Sequence, residues 1–600
     1  MGRLTARARR TVSRRRLTPC LVVLLLAQMA AVMVTTAVQQ TPTIDEPVYV
    51  ATATDYLRAH RLRYNPEHPP LGKLLIAAGV AVADPHYDPS YTGTQGDVGR
   101  HLLYESGNDP GRLMLWARLP VIALTLLFGL VAFAFARGVA GTAGGLVALA
   151  LYAFDPDVIT HGSLATLDMP ATGFVLTSVW LAWKARGRPG RCLPLAGAAL
   201  GAAVATKMSM LAAVPVVVGL AVVSVRRARA GVGSGFGWGA EASGLRWPTG
   251  ASALCRRPAP LGIGWRDATP GLRELAAGPG PWWRTAAPGH WWRPVADGLV
   301  AAGVVVGMAL AVVWAAYLAV DPRLRFSPAE PVPTLHGLRG HLVDLLPMPP
   351  AYRAGMRAQF GLESRPWQGF LFGHLYTGSR WYYLPAALLV KTPLGLLALG
   401  AAGAVTAVAL RRLRPAAPYL LLPPAVLLAA AMTGTRDFGT RYALFVPVFL
   451  AVAAGCAVVP GRRWARPLAG ALVLWAALSS LRTCPYYLPY ANEAFGGPAR
   501  THLLLHDSNV DWGQDLGRLG DVLRERYPGE RVWLVYKGAG VPSSYGIHAA
   551  DPRTVPANRV HGLLVVSDSA LAKARGGLAR LIDSSRPVGD VGRSISLYRR

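Results

Sequence analysis

Long apolar stretches without charged residues, separated by short segments rich in Arg or in acids, constrain this chain more than any other feature. A helix needs about 20 apolar residues to cross the hydrocarbon core of a bilayer. Where a stretch is shorter, flanking Arg and Lys side chains reach outward to the interface. We therefore predict a polytopic, mainly α-helical protein with about eleven transmembrane spans, at 17–44, 119–136, 138–154, 169–183, 192–206, 208–225, 298–320, 381–410, 415–435, 442–460 and 467–481.

The placement of Arg and Lys predicts the orientation of these spans, because short basic loops stay in the cytoplasm. Seven Arg precede the first span within sixteen residues, whereas the loop 45–118 contains nine acids and the loop 155–168 contains three. We expect a multi-pass protein of the plasma (inner) membrane, with a cytoplasmic N-terminus and an extracytoplasmic C-terminal tail. The 62 Lys and Arg against 32 acids, in a chain that is 52% hydrophobic, thus indicate membrane lipid and no nucleic acid as the partner of the basic charge.

Five regions follow from this pattern. They are an Arg-rich cytoplasmic N-terminus (1–18), an N-terminal membrane region (19–225) with a first outer loop (45–118), a cytoplasmic low-complexity insert (226–297), a C-terminal membrane region (298–481) with a second outer loop (321–380), and an extracytoplasmic α/β tail (482–600). The insert is rich in Gly, Pro, Trp and Arg, which is typical of a segment without a packed core that is held at anionic lipid. In the tail, the pattern predicts strands and one helix, at 531–537, 559–567 and 593–599 and at 570–582 respectively.

Two adjacent carboxylates, Asp45 and Glu46, come directly after the first apolar stretch. Ionisable groups at the mouth of a membrane helix are costly unless they are used or solvated. Neighbours in sequence do not share a helix face, so the two acids have different tasks. One can face a substrate while the other caps the next helix; capping by both is the alternative, because acids favour the first turn of a helix.

A proline-rich segment, NPEHPPLGK at 65–73, follows about twenty residues later. Three prolines in five residues disfavour a helix and predict an extended turn. Such a turn holds Glu67, His68 and Lys73 in a rigid polar loop at the level of the lipid head groups. The loop can bind a phosphate through His and Lys, or it can be a stiffened connection with solvated charges.

Three more charged residues lie near the predicted outer ends of spans. Asp168 occupies the start of a helix, where an acid is favourable, and it can also orient a partner in a site. Lys207 and Lys391 interrupt apolar stretches. Each lysine suits a lipid phosphate or a side chain that reaches out of the hydrocarbon.

The segment DSNVDWGQDL at 507–516 is dense in acids. It begins like a calcium-binding loop, but its Gly falls one position late and Arg518 occupies the twelfth position, which excludes an EF-hand. Asp507, Asp511 and Asp515 would share one face of a helix. Their mutual repulsion would then require a cation, hydrogen-bond donors or a metal, so a divalent metal is possible. The chain has no GxGxxG, P-loop or HExxH motif, and its five scattered Cys form no CxxC pair, so no other cofactor is indicated.

The acids at 45–46, the proline-rich segment at 65–73 and the Thr-Leu-Asp at 166–168 together resemble the phospholipid-carrier-dependent glycosyltransferases, which include the protein O-mannosyltransferases and the lipid A aminoarabinose transferases. Further stretches are similar to the same group, at 205–207, 390–393, 439–442, 487–493 and 507–516. The resemblance implies a GT-C fold with an active site at the outer face and a sugar on a polyprenyl phosphate as donor. It places Asp45 at the family's catalytic acid, and Glu46 and Asp168 at supporting acidic positions.

We therefore expect a membrane glycosyltransferase that moves a sugar to an acceptor hydroxyl on the extracytoplasmic side. Asp45 is the predicted base for that hydroxyl. The candidates to bind the donor phosphate are His68, Lys73, Lys207 and Arg441, and the supporting candidates are Glu67, Lys391, Asp507, Asp511 and Asp515. The acceptor is a protein, a lipid or a glycan.

Two alternatives share some of these features. A transporter or flippase of lipid-linked glycans would carry inverted repeats and charges deep within its spans. Here the spans are nearly free of charge and the polar residues gather on one side, which favours interfacial catalysis. A glycan polymerase or ligase would use the same donor.

Overall fold

The computed structural model describes residues 2–233 and 293–600, and the side chains of 17–229 and 295–600. Most of the predicted insert at 226–297 therefore lies outside the described residues. The membrane regions are helical, and the first is built from α1 (Gly2–Gln39), α2 (Glu46–Arg58), α3 (Pro70–Ala83), α4 (Gln95–Arg100), α5 (Pro110–Ala153), α6 (Pro156–Gly162), α7 (Asp168–Lys184), α8 (Pro189–Thr206) and α9 (Ala213–Gly233).

The second membrane region contains eight helices and one β-hairpin. They are α10 (Arg293–Val320), α11 (Gly337–Leu345), α12 (Pro350–Glu363), β1 (Gln368–Leu371), β2 (His374–Thr377), α13 (Tyr383–Lys391), α14 (Leu394–Ala409), α15 (Ala417–Ala431), α16 (Phe445–Ala454) and α17 (Ala465–Thr483). The chain is thus mainly helical, as predicted.

Length and composition single out four helices among the described residues that can cross a membrane, at Leu17–Gln39, Pro110–Ala153, Met208–Arg229 and Val295–Val320. The pair α13 and α14 also qualifies, with a bend of 116° between its members. The other predicted spans coincide with shorter helices, α7, α8 and α15 to α17. The number of eleven spans stays a prediction.

Helix α5 is a hairpin of two arms rather than one rod. Gly141 has φ 78° and ψ −178°, a conformation that only glycine adopts without strain. The two arms lie against each other, and the Tyr152 hydroxyl of the second arm donates to the carbonyl of Thr125 in the first at 2.8 Å. The two arms correspond to the predicted spans at 119–136 and 138–154.

Small residues let the helices of the bundle approach closely. A Cβ added at Gly201 of α8 would lie 2.5 Å from the carbonyl oxygen of Ala309 in α10, and one at Gly403 of α14 would lie 2.0 Å from that of Ala453 in α16. In a bilayer, where burial of apolar surface does not drive association, such close packing supplies much of the attraction between helices.

The C-terminal tail is a small α/β domain, as predicted. It contains α18 (Thr501–Leu504), α19 (Leu516–Arg526), β3 (Val532–Val535), β4 (Ala549–Ala550), β5 (Leu563–Ser567), α20 (Asp568–Leu571), α21 (Gly576–Asp583), β6 (Arg586–Val591) and β7 (Ile595–Arg599). The strand order is β4-β3-β5-β7-β6. Strands β3, β4 and β5 are parallel, and β7 is antiparallel to both β5 and β6.

The predicted helix at 570–582 was wrong in detail, because it is two helices. Gly576 has φ +56°, and this left-handed residue opens α21 after a break from α20. Strand β6 was missed since its exposed residues, Arg586 to Asp590, show no apolar alternation.

Candidate active site

Asp45 and Glu46 have different partners, as their adjacency predicts. The Glu46 carboxylate is fully buried and forms a two-point ion pair with Arg118 of α5, with N–O distances of 2.8 Å and 2.6 Å. It also accepts from the backbone N–H and hydroxyl of Thr43 and from the N–H of Ala165. Burial alone would raise the pKa of Glu46, but the Arg118 charge and these hydrogen bonds hold it below its ordinary value.

Arg118 also donates to three carbonyl oxygens, those of Ala37, Gln40 and Thr41. It therefore fixes the end of α1 and the start of α2 to α5. No partner of Glu46 is a solvent-facing group, so the contribution of Glu46 is to hold the backbone on which Asp45 stands.

Asp45 instead faces Arg441, which follows α15 in a short turn. The Arg441 Nη1 donates to the Asp45 Oδ2 at 2.5 Å. The Asp45 side chain keeps 27% of its surface exposed, whereas that of Arg441 keeps 9%. Asp45 is thus a carboxylate at an opening, with a buried cation behind it.

A second ion pair, Asp168 with Lys207, lies beside the first. The Lys207 ammonium is 5.1 Å from the ring centroid of Tyr442, and the Arg441 guanidinium lies 5.0 Å from the same ring. Both cations therefore flank one aromatic ring. Asp45, Asp168, Lys207 and Arg441, four of the residues singled out from the sequence, form one cluster.

His68 joins this cluster through Tyr49 of α2. The two rings meet edge to face with centroids 6.0 Å apart. Burial, and after it the charges of Asp45 and Asp168, raise the pKa of the Tyr49 hydroxyl. Burial, together with the charges of Lys207 and Lys73, lowers the pKa of His68 well below its ordinary value. His68 is therefore neutral near pH 7 and offers hydrogen bonds rather than charge.

Several buried polar atoms of this cluster lack a hydrogen-bond partner in the described part of the chain. They are the Arg441 Nε, the His68 Nδ1, both ring nitrogens of His161 and the Thr166 Oγ1. An unsatisfied buried group costs about 1–3 kcal/mol, and such groups mark positions that a ligand or an ordered water fills. Their gathering around Asp45 and Asp168 indicates where a polar substrate binds.

Lys73 does not lie in a loop with His68, so that part of the sequence prediction was wrong. The helix α3 begins at Pro70, because proline is well suited to the first turn of a helix. Lys73 is fully buried, and its ammonium donates to the Asn65 carbonyl at 2.8 Å and the His68 carbonyl at 2.7 Å. Burial lowers the pKa of Lys73 to about 7. Its donors stabilise the proline-rich segment from within.

Glu67 is bound by side-chain amides and takes part in neither of the two ion pairs. Its carboxylate accepts from the side-chain amides of Asn65 and Gln95, both at 2.9 Å. Glu67 lines a cavity of about 130 Å³ between the first and second outer loops, together with Arg63, Glu330 and Arg365. That volume is about ten times what one water molecule requires.

A narrower hollow of about 10 Å³ shares Tyr64, Asn65 and Pro66 with this cavity and has His68 in its wall. The proline-rich segment therefore contributes to the walls of both the cavity and the hollow.

Lys391 lies apart from the cluster, buried at the end of α13. It donates to the carbonyls of Leu488 and Asn509, at 2.5 Å and 3.1 Å, and pairs with Asp157 at 3.2 Å. It joins the second membrane region to the tail and to α6.

The acids at 507–516 do not share a helix face, because the segment does not form the helix on which that expectation depended. Asp507 and Gly513 both have positive φ, +57° and +88°, which interrupts any helix. Each acid has its own partner: Asp507 pairs with Lys537, Asp511 accepts from the Ser567 hydroxyl at 2.7 Å, and Asp515 pairs with Arg518. Within the described residues, no group of three or more His, Cys, Asp or Glu is placed to bind a metal ion.

Sequence reasoning missed several residues that contribute to the site. Arg118 carries no local signal, because its partner is distant in sequence. Tyr442 and Trp512 lie in the stretches 439–442 and 507–516, which were singled out without a role for either residue. Thr166 lay inside the motif at 166–168, whereas His161 lies seven residues before Asp168, in the loop 155–168.

Comparison with known proteins finds one family model that matches part of the chain. Residues 22–232 match the family model for the dolichyl-phosphate-mannose-protein mannosyltransferases, and this segment holds Asp45, His68, Asp168 and Lys207. The match spans 211 of the 600 residues of the chain. No curated protein sequence matches this chain.

Several solved structures are similar to this chain at low identity. ArnT from Cupriavidus metallidurans in the apo state is 13% identical, over 96% of this chain and 97% of that one, with a TM-score of 0.41. The same values hold for ArnT bound to undecaprenyl phosphate. The S. cerevisiae protein O-mannosyltransferase Pmt1-Pmt2 complex bound to the sugar donor is 17% identical over 51% of this chain and 33% of that one, with a TM-score of 0.32.

Replacement of Lys207 tests the second ion pair. Lys207→Met keeps the side chain's length but removes the charge beside Asp168, and Lys207→Arg retains a cation. We expect Lys207→Met to lower kcat/KM by about 10²–10³-fold, as loss of one group that stabilises developing charge does, and Lys207→Arg to recover part of it. Steady-state transfer rates measure both, and equal rates for Lys207→Met and the wild type would exclude Lys207 from the reaction.

Proposed function

We propose that this protein is a glycosyltransferase that moves a sugar from a polyprenyl phosphate to an acceptor hydroxyl at the extracytoplasmic face of the plasma membrane, with Asp45 as the base. The observation that carries the proposal is the arrangement of Asp45. It is the partly exposed acid of the cluster, and two cations, Arg441 and Lys207, lie behind it. This arrangement supports a role for Asp45 in accepting a proton and for Arg441 and Lys207 in binding a phosphate at the same opening.

In the proposed reaction the acceptor hydroxyl gives its proton to the Asp45 carboxylate while its oxygen attacks the anomeric carbon. The bond from that carbon to the phosphate oxygen breaks, and polyprenyl phosphate leaves with the electron pair. Direct displacement inverts the anomeric centre. Because a phosphate monoester is a good leaving group, the reaction needs a base for the acceptor more than a strong general acid.

The leaving phosphate gains one negative charge in this step, and preorganised cations stabilise that charge. Arg441 suits this role because its Nε is buried and has no hydrogen-bond partner among the described residues. Lys207 adds a second charge, and His68 adds a neutral ring nitrogen. Lys73 is a weaker candidate than the sequence indicated, since its donors already bind backbone oxygens.

The remaining predicted residues act by position in this proposal. Glu46 holds the backbone beside Asp45 through Arg118, and Asp168 orients Lys207. The proposed donor is consistent with the undecaprenyl phosphate bound in ArnT and the sugar donor bound in Pmt1-Pmt2. We propose that the acceptor approaches from the cavity beside Glu67, which adjoins the wall that contains His68.

A donor panel tests the function. Purified protein in liposomes receives undecaprenyl phosphate carrying ¹⁴C-mannose, ¹⁴C-glucose or ¹⁴C-arabinose, with membranes of a strain that lacks the protein as the source of acceptor. We expect label to move from one of these donors to the acceptor fraction. Movement of intact lipid-linked sugar across the liposome without transfer would instead identify a flippase and reject the proposal.

A further inference from the structure

The segment 511–514 of the tail, here called the strap, lies directly against the backbone that leads to Asp45. The Ile44 N–H donates to the Trp512 carbonyl at 3.0 Å, and the Thr41 N–H donates to the Gln514 carbonyl at 3.0 Å. The Thr41 hydroxyl adds a bond of 3.0 Å to the carbonyl of Gly513. Three consecutive residues of the strap therefore fix the path of the chain up to the residue before Asp45.

The strap also contacts the partner of Asp45. The Arg441 guanidinium carbon lies 4.3 Å from the ring centroid of Trp512, closer than its 5.0 Å approach to Tyr442. Trp512 is 1% exposed, and the ring of His161 meets it edge to face at 6.1 Å. A guanidinium over a desolvated Trp face is attracted by about 2 kcal/mol, at the upper end of cation–π interactions.

The other side of the strap is anchored in the C-terminal domain. Asp511 accepts from the Ser567 hydroxyl at 2.7 Å and from the Ser569 N–H at 3.0 Å. The Tyr536 hydroxyl donates to the Gly513 carbonyl at 2.9 Å. These partners follow the carboxyl ends of the parallel strands β3 and β5, so the sheet of the tail holds the strap in place.

We propose that Trp512 is a positioning residue, through which the C-terminal domain aligns Arg441 with Asp45 for the transfer step. The proposal rests on the proposed function of Asp45 and Arg441. It assigns a role to the C-terminal domain, because the strap contacts both sides of the ion pair. The strap binds the backbone before Asp45 and packs against the side chain of Arg441. The Trp512 ring touches the guanidinium and not the reacting atoms.

The test is a double-mutant cycle on the full-length protein in liposomes, with the labelled donor that the panel identifies. Trp512→Leu removes the aromatic face, Arg441→Gln removes the cation, and Trp512→Phe keeps a smaller face. We expect Trp512→Leu to lower kcat/KM by about 30-fold, the rate equivalent of the cation–π attraction. Trp512→Phe should recover most of that loss.

The decisive readout is the coupling between the two sites. If Trp512 acts through Arg441, then Trp512→Leu lowers kcat/KM by less than about 3-fold when Arg441→Gln is already present, because groups that act as a unit are not additive. A loss of about 30-fold in both backgrounds would overturn the proposal. Such additivity is what general damage to the fold produces.

A matched control separates positioning from stability. Trp533 of β3 is equally buried at 1% but packs in the apolar cluster on the far side of the sheet. Trp533→Leu should lower the Tm by about as much as Trp512→Leu while leaving kcat/KM of the folded fraction within about 2-fold of the wild type. Equal losses of kcat/KM in both variants would refute the special role of Trp512.

Failure of this inference is distinguishable from failure of the proposed function. If the wild-type protein transfers label and the Trp512→Leu variant transfers it at the same rate, the proposed function stands and only the positioning role is refuted. A wild-type protein that transfers no label from any donor rejects the proposed function and the inference together.

Discussion

Asp45→Asn should reduce sugar transfer by about 10²–10⁴-fold, the contribution of a positioned general base. The amide keeps the size of the carboxylate but does not accept the proton of the acceptor hydroxyl. It also removes the negative charge that pairs with Arg441 at 2.5 Å. We expect the KM for the donor to change by less than kcat, since Arg441 remains available to the phosphate. Initial rates with the labelled donor in liposomes measure both constants.

The control for this experiment is Asp88→Asn, which removes an acid from the same outer loop. Asp88 is exposed and its carboxylate binds Ser90, so its loss should leave the rate within about 2-fold of the wild type. Undiminished transfer by Asp45→Asn would remove Asp45 as the base. Equal damage from both replacements would point to the charge of the loop instead.

Glu46→Gln should cause the largest loss of stability of any conservative replacement in the outer loops. Breaking a buried ion pair by changing one partner costs about 3–5 kcal/mol, because the other charge stays buried without compensation. Here the stranded charge is Arg118, which is 1% exposed. We expect a large drop in Tm and a low yield of folded protein in detergent, measured by thermal unfolding of purified samples.

Asp521→Asn is the matched control, because it breaks the ion pair of Asp521 with Arg524, whose side chains are 63% and 68% exposed. Exposed pairs contribute about 0–1 kcal/mol, so its Tm should stay close to that of the wild type. The replacement Glu46→Gln with Arg118→Met removes both charges and should recover part of the loss. A Glu46→Gln protein that unfolds at the wild-type temperature would show that the ion pair of Glu46 with Arg118 does not stabilise the fold.

The helical membrane regions and the α/β tail were predictable from the sequence, because a hydrocarbon environment excludes charge over whole segments and the period of apolar residues separates strands from helices. The acids at 45–46 were predictable for a related reason, since charge at the mouth of a span is costly. Lys73 was misplaced because the three prolines were interpreted as a barrier to a helix, whereas Pro70 begins one.

The internal pairing of the site was not predictable in the same way. Arg118 lies 72 residues from Glu46, and Arg441 lies 396 residues from Asp45. Contacts across such separations depend on how the helices pack, which no local pattern records. Trp512 is the clearest case, because its segment was interpreted as a row of acids, while the residue between those acids makes the contact with Arg441.

The most direct test of the central claim compares glycoproteins and glycolipids by mass spectrometry in a strain that lacks this protein and in complemented strains. Because the comparison presupposes neither the sugar nor the acceptor, it examines the reaction itself. We predict that one sugar modification disappears in the deletion strain, returns with the wild-type protein and stays absent with Asp45→Asn. Identical glycan profiles in all strains, or full restoration by Asp45→Asn, would contradict the account.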